Sequence, residues 1–266
     1  MAKKLNVAII GFGAIGTYVA KNLIDDQAIN LVGFLCREGR EEIAAQIVPG
    51  IEAVSKLSDF SIAPDLVADC GGHAALRAHG PAILRGGTDL VTISIGALAN
   101  AGLATELENA ARSGNAQLRL ASGSIGALDI LSAAMTGGLE EIIYRGRKPP
   151  SGWKGSPAEQ ALELDSLTQA AIHFKGSARK AALQYPKNAN VAAAVALAGP
   201  GLDETKVELI ADPAITRNIH EIEASGAFGK MQFRVEANPF PDNPKSSMLA
   251  AMSMVSTIRK MCAPVA

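Results

Sequence analysis

The stretch Leu5–Leu23 reads LNVAIIGFGAIGTYVAKNL and organises the N-terminal half of the chain. Its first six residues form an apolar run typical of a buried strand, and Ile15, Val19 and Leu23 follow at the four-residue spacing of a helix. Between the strand and the helix lies a G-x-G-x-x-G turn formed by Gly11, Gly13 and Gly16. In this context the pattern favours a site where backbone N–H groups at a helix N-terminus bind a dinucleotide pyrophosphate. The alternative is an ordinary glycine-rich turn.

Composition is that of an ordinary globular enzyme, with 266 residues, 48% hydrophobic, 19% charged and a net charge of −1. Such a chain has room for one large or two medium domains. Its small net charge and its 4% aromatic content favour neither nucleic acid nor a membrane surface as a partner. No apolar run reaches the roughly 18 residues of a membrane-spanning helix.

The termini and the cysteines predict a cytoplasmic location. The basic start, residues 1–5, is not followed by the apolar core of an export signal. Cys36, Cys70 and Cys262 lie far apart and form neither a metal-ligand pattern nor a disulfide set. We therefore expect a protein of the reducing cytoplasm without a metal site.

The second predicted strand, residues 30–36, bears on the choice of cofactor. An NAD-selective site carries an acidic residue at the end of this strand, where it binds the ribose 2′-hydroxyl. Cys36 occupies that place, and Arg37 and Arg40 follow it. A small residue and two cations leave room and positive charge for a 2′-phosphate. We predict that NADP is accepted, alongside NAD; the alternative is that both arginines lie in a solvated loop.

Strands and helices alternate up to residue 120, which predicts βαβ units and a doubly wound parallel sheet. Beyond residue 121 the strands lengthen and show period-two alternation, which indicates a mostly antiparallel sheet with one wet face. The predicted fold class is therefore α/β, with a C-terminal α+β domain. We predict a dinucleotide-binding domain over 1–120 and a substrate-binding and dimerisation domain over 121–242. A C-terminal helix within 243–266 is expected to pack back on the first domain.

Several local features follow from the same reading. The loop after the strand at residues 65–70 is expected at the cofactor crevice and makes His73 a candidate there. The favoured alternative is that His73 only starts the next helix, and His79 is expected on the surface of that helix. Asn190 is the predicted N-cap of an alanine-rich helix. Asn243 and Pro244 are typical of a helix start, and the apolar spacing beyond them predicts a helix over residues 245–261.

His220 is the best candidate for a proton-transferring residue. On the predicted strand 217–224, alternation puts Asn218, His220 and Ile222 on one face. With Asn218 and the acidic Glu221 beside it, the imidazole is expected to titrate near neutrality, which suits acid–base catalysis. The alternative is a half-buried sheet histidine without a chemical role.

Several motifs carry a resemblance to a known family, and they occur in this order: GFGAIG (11–16), CGGHA (70–74), SIGAL (94–98), SGSIGALD (122–129), PKNANVAA (186–193) and NIH (218–220). Through them the chain resembles the L-aspartate dehydrogenases over nearly its whole length. The resemblance implies a Rossmann domain joined to an α+β domain related to those of homoserine dehydrogenase and dihydrodipicolinate reductase. It also implies NAD(P)-dependent oxidation of L-aspartate to iminoaspartate, reversible as reductive amination of oxaloacetate with ammonia, and a supply of iminoaspartate to NAD biosynthesis.

The resemblance also implies roles for individual residues. It assigns catalysis to His220 and cofactor contacts to Ser124 and Asn190. Members of the family often carry alanine where this chain has Ser124, and a cofactor contact through the backbone, unlike one through the side chain, would survive that change. The predicted cofactor site further includes Gly11, Gly13, Ala14, Ile15, Gly16, Arg37, Cys70 and Gly71.

The substrate carboxylates need cationic or amide partners. Lys187, Asn188 and Arg217 are the predicted ones. The whole pattern favours a cytoplasmic, homodimeric amino-acid dehydrogenase. Two alternatives remain open at this point: a related NAD(P)-dependent reductase of another small acid, of the homoserine or dihydrodipicolinate type, and a non-catalytic NADP-sensing protein.

Overall fold

The computed structural model of the chain describes residues 3–240 and 243–265. Three predictions reach beyond these residues: the reading of the basic start at residues 1–2, the domain boundary at residues 241–242, and the C-terminal segment at Ala266. Within the described part of the chain, no helix is long and apolar enough to cross a membrane.

The strands, in chain order, are β1 Leu5–Ile10, β2 Ile29–Leu35, β3 Glu52–Val54, β4 Leu66–Asp69, β5 Asp89–Thr92, β6 Leu118–Leu120, β7 Leu139–Lys148, β8 Ala171–Ser177, β9 Lys206–Ala211, β10 Asn218–Gly226, β11 Gly229–Ala237, β12 Pro239–Phe240 and β13 Asn243–Ser247. The α-helices are α1 Ala14–Leu23, α2 Glu41–Ala45, α3 His73–Arg85, α4 Ala101–Gly114, α5 Leu128–Gly137, α6 Ala158–Ala161, α7 Ala178–Gln184, α8 Asn190–Ala198 and α9 Met248–Cys262.

The chain divides into two compact units, and the first consists of Met1–Ser94, Ala101–Ala121 and Ala250–Ala266. Its six strands form a parallel sheet in the order β3-β2-β1-β4-β5-β6. This is the doubly wound order in which the strands leave a crevice at their carboxyl ends, where the order reverses between β1 and β4. The core of this unit includes Val255 and Ile258 of α9.

The second unit consists of Ile95–Asn100 and Ser122–Leu249. Its sheet has the order β11-β10-β7-β9-β8, and all neighbouring strands run antiparallel except β7 and β9. Even-numbered residues of β7 from 142 to 148 are buried, and the odd-numbered ones between them are partly exposed. This alternation gives the sheet one face in the core and one wet face, so the predicted fold class is confirmed for both units.

Two local predictions were wrong, and one helix was missed. Asn190 is the first residue of α8 rather than its N-cap, because its side-chain oxygen accepts a hydrogen bond from the Gly96 N–H instead. Residues 243–247 form β13, which pairs with β12, so Asn243 is not an N-cap and the last helix begins at Met248 rather than at Lys245. The helix α7 was not predicted, since its seven residues are too few to show a clear period.

Candidate active site

A cavity of about 340 Å³ lies in the first unit, at the carboxyl ends of β1, β2 and β4. Its lining brings together five predicted cofactor residues, Gly11, Gly13, Arg37, Cys70 and Gly71. Three more of the ten predicted cofactor residues, Ala14, Ile15 and Gly16, lie in the first turn of α1. The carboxyl edge of a parallel sheet is where open α/β proteins bind their ligands.

The glycine turn fits a dinucleotide pyrophosphate. A Cβ at Gly13 would meet nothing within 4 Å, so the space in front of the N-terminus of α1 is open. No side chain caps this end of the helix, and its first N–H groups are therefore available to an anion. At Gly16 a Cβ would collide with the carbonyl oxygen of Gly11, and glycine is what lets the helix approach the turn this closely.

The end of the cavity next to β2 is positively charged. Arg37 and Arg40 line it beside Cys36, and no carboxylate occurs among the described residues of the lining. The Arg40 guanidinium lies 5.4 Å from the centre of the Phe12 ring, a cation–π distance. His79, which was expected on the surface of a helix, lies half-exposed on α3 and also lines this cavity.

Asp69 is a residue of this site that the sequence analysis missed. Its carboxylate is buried and accepts hydrogen bonds from the Gly71 N–H at 3.0 Å and from Thr92 Oγ1 at 2.6 Å. Burial raises the pKa of Asp69. The carboxylate fixes the turn that follows β4, and its signal in the sequence was an acidic residue ending a buried apolar strand.

In the second unit, His220 on β10 is buried with 4% of its surface exposed, and its ring is held by Tyr144 on β7. The distance between Tyr144 Oη and His220 Nδ1 is 2.7 Å. Gly146 lies opposite His220 in the strand register. A Cβ at Gly146 would stand 2.8 Å from Tyr144 Oη, so glycine at this position leaves room for the hydrogen bond.

The imidazole does not titrate near neutrality. Burial, and to a lesser degree the charge of Lys148, lowers the pKa of His220 to about 3. Glu221, which was expected to raise it, points to the opposite face and binds Arg234 at 2.9 Å. The ring is therefore neutral at physiological pH.

Lys148, the last residue of β7, is a second functional candidate that the sequence analysis missed. It is 6% exposed, and its Nζ donates to Asn188 Oδ1 at 2.7 Å. The ammonium lies 5.3 Å from the centre of the Trp153 ring. Burial lowers the pKa of Lys148 to about 8. Alternation along β7 was the signal that could have found it, because Tyr144, Gly146 and Lys148 share one face.

The structure separates the predicted substrate residues. Asn188 contacts Lys148, whereas the side chains of Lys187 and Arg217 are exposed. Of the two predicted cofactor residues in this unit, Ser124 is buried, and Asn190 Oδ1 accepts from the Gly96 N–H at 2.9 Å. The second unit thus gathers Tyr144, His220, Lys148 and Asn188 but leaves Lys187 and Arg217 at its surface.

Two family models match the chain. One, described as the C-terminal part of aspartate dehydrogenase, matches residues 129–261. The other, the NAD-binding domain of homoserine dehydrogenase, matches residues 11–121. The NAD-binding model covers the glycine turn and the cavity, and the C-terminal model covers the buried cluster of the second unit.

Sequence and structure comparisons agree with these matches. The chain is 50% identical to an L-aspartate dehydrogenase of Ruegeria pomeroyi, over 98% of this chain and 94% of that one. It is 45% identical to an L-aspartate dehydrogenase of Cupriavidus necator, over 96% of both chains. Among solved structures, aspartate dehydrogenase of Thermotoga maritima matches with a TM-score of 0.74 and 26% identity, over 98% of both chains.

Proposed function

The chain belongs to the L-aspartate dehydrogenase family, and on that basis we propose that it oxidises L-aspartate to iminoaspartate with NAD or NADP. The same reaction in reverse is the reductive amination of oxaloacetate with ammonia. The observation that carries the proposal is the buried pair of Tyr144 and His220, with Lys148 beside it. This pair supplies an oriented proton acceptor, which a protein that only senses a dinucleotide does not need.

The cofactor would be held by the first unit. Its pyrophosphate fits the open space at Gly13, and its adenosine end fits the part of the cavity lined by Arg37 and Arg40. Cys70 and Gly71 line the same cavity, and we propose Ser124 and Asn190 as further contacts. When bound, the nicotinamide ring supplies the two-electron hydride chemistry that amino-acid oxidation requires.

His220 is the proposed catalytic residue, and Tyr144 fixes its orientation. The phenol hydroxyl rotates, so it donates to Nδ1 in one neutral tautomer and accepts from Nδ1–H in the other. In the second tautomer Nε2 carries a free lone pair. At that atom His220 takes a proton from the substrate amine or from the water that attacks the imine. Because the phenol also accepts from Nδ1–H of the imidazolium, the charged ring stays hydrogen-bonded.

We further propose that the first unit works as the dinucleotide-binding domain over 1–120, together with the C-terminal helix. The substrate-binding and dimerisation domain is 121–242. The grouping of the chain into two compact units supports this division for most of the chain, whereas residues 95–100 and 243–249 group with the second unit. The wet face of the second sheet carries paired charges, such as Arg145 with Glu223, and is the proposed homodimer surface. We place the enzyme in the cytoplasm, where its product feeds NAD biosynthesis.

A substrate screen tests the proposal. Purified protein is mixed with NAD or NADP and with L-aspartate, L-homoserine, L-glutamate or L-alanine, and reduced nicotinamide is followed by its absorbance. We expect turnover with L-aspartate above all. Turnover with L-homoserine instead would assign a different reaction.

The His220→Ala variant then tests the role of the imidazole. We expect it to lose turnover by about 100-fold or more, while NADPH still binds with wild-type affinity in a fluorescence titration. Normal turnover in this variant would refute the role of His220.

A further inference from the structure

We propose that Lys148 binds a carboxylate of the substrate beside His220, and that this contact couples substrate binding to proton transfer. The inference rests on the proposed function, because it takes a dicarboxylic amino acid as the ligand. It concerns a residue that lies 72 positions from His220 in the chain but on the adjacent strand.

The first observation is that the Lys148 ammonium is buried without a counter-charge. Its contacts are the neutral amide oxygen of Asn188, at 2.7 Å, and the face of the Trp153 ring. Within residues 3–240 and 243–265, no carboxylate lies within ion-pair distance of its Nζ. A buried cation is normally paired, because its removal from water is otherwise uncompensated.

The two other cations of the same strand are both paired with carboxylates. Arg147 faces the opposite side of the sheet and binds Asp212 at 2.8 Å. Arg145, on that same side, binds both Glu208 and Glu223. Lys148 differs from these arginines in facing the core side of the sheet, where the fold provides an amide and no acid.

The geometry prepares Lys148 for an anionic ligand. Asn188 Oδ1 takes one of the three Nζ hydrogens and thereby fixes the direction of the ammonium. The remaining hydrogens are available for a carboxylate, which forms charge-assisted hydrogen bonds stronger than those between neutral groups. Aspartate and oxaloacetate each carry two carboxylates, so a lone buried ammonium matches the substrate class.

Lys148 also acts on His220. Its positive charge opposes protonation of the imidazole and contributes to the lowered pKa of His220. A carboxylate bound at Nζ neutralises that charge, and the imidazole becomes a stronger base only when substrate is present. The titratable groups of this cluster are His220 on β10 and Tyr144 and Lys148 on β7, while Asn188 does not titrate.

The test compares Lys148→Met with Lys148→Arg and with Lys206→Met as a matched control. Lys206 lies on β9 in the same unit, but it is exposed and paired with Glu141. Steady-state kinetics give KM for L-aspartate and kcat, and fluorescence gives NADPH affinity. Succinate, which keeps both carboxylates but has no amine, serves as a competitive probe between pH 7 and pH 10.

We expect Lys148→Met to raise KM for L-aspartate and Ki for succinate by about 10- to 100-fold, with unchanged NADPH affinity. Succinate should bind the wild type more weakly as the pH rises past about 8, where Lys148 loses its proton. Lys148→Arg should retain part of the succinate affinity and lose this dependence on pH, because arginine stays charged. Lys206→Met should behave as the wild type.

An unchanged KM and Ki in Lys148→Met would overturn the inference, as would a pH profile for succinate that is the same in the wild type and in Lys148→Arg. A cooperative urea-unfolding transition of Lys148→Met, followed by the fluorescence of the buried Trp153 beside this position, distinguishes loss of the carboxylate contact from misfolding of the second unit. If the wild type fails to oxidise L-aspartate, the proposed function fails. Succinate binding that depends on Lys148 would then still support a carboxylate site, and its absence would remove that site too.

Discussion

The substitution Lys148→Met is expected to stabilise the folded protein at pH 7 even though it weakens substrate binding. Burial lowers the pKa of Lys148 from 10.5 to about 8, which corresponds to roughly 3 kcal/mol of destabilisation while the ammonium is charged. Methionine removes this cost and leaves Asn188 Oδ1 without its donor, at about 1 kcal/mol. The net gain in the free energy of unfolding is therefore about 2 kcal/mol.

The sign of the pH dependence follows from proton binding. Between about pH 8 and 10.5 the unfolded chain keeps a proton on Lys148 that the folded protein has lost, so wild-type stability rises relative to the variant. At pH 9.5 the cost of the lysine has fallen to about 1 kcal/mol, close to the cost of the unpaired amide. The advantage of Lys148→Met should then nearly vanish.

Urea unfolding at pH 7 and pH 9.5 measures both values. Trp153 is the single tryptophan, it is buried, and it lies beside Lys148, so its fluorescence reports on this unit. Lys206→Met is the control, with a change of no more than about 0.5 kcal/mol at either pH. A variant less stable than the wild type at pH 7, or a gain of equal size at both pH values, would contradict the reasoning.

Three further predictions concern the two sites. Tyr144→Phe removes the hydroxyl that hydrogen-bonds to His220 Nδ1, and we expect kcat to fall about 10-fold or more while KM for NADPH is unchanged. An unchanged kcat would exclude the orienting role of Tyr144. Gly13→Val fills the open space before α1 without a collision with the protein, so we expect wild-type thermal stability and loss of NAD and NADP binding. Retained binding would exclude the pyrophosphate site. The double substitution of Arg37 and Arg40 by alanine should raise KM for NADP by about 10- to 100-fold and KM for NAD much less. An equal effect on both KM values would show that neither arginine binds the 2′-phosphate.

The sequence predicted the first unit well because its evidence is local. A buried strand, three glycines and a helical period lie within Leu5–Leu23, and they specify the turn, the parallel sheet and the cavity position together. The positive charge of the cavity near β2 was also predictable from the sequence, because Arg37 and Arg40 lie just after the end of that strand.

The site in the second unit was harder to predict because its contacts join distant parts of the chain. Tyr144 and His220 are 76 residues apart, and only the register of β7 against β10 brings them together. Asn190 was predicted to be a helix N-cap, but its side-chain oxygen accepts a hydrogen bond from the Gly96 N–H, 94 residues away in the chain. The sequence alone does not reveal this distant donor. His220 was found, but its low pKa depends on burial and on the charge of Lys148, and the sequence does not show that the fold brings these two residues together.

Arg147 and Lys148 are successive cations at the end of β7, but they face opposite sides of the sheet. Arg147 binds the Asp212 carboxylate on the wet face, whereas Lys148 donates to the neutral Asn188 amide on the core face. If β7 slipped by one residue against β10, the two side chains would exchange faces. The Arg147 guanidinium would then be buried, and the Lys148 ammonium would lie on the wet face. The ladder of backbone hydrogen bonds therefore decides which face of the sheet the Lys148 ammonium occupies. We therefore expect the insertion or deletion of one residue within β7 to lower turnover more than any single side-chain substitution does.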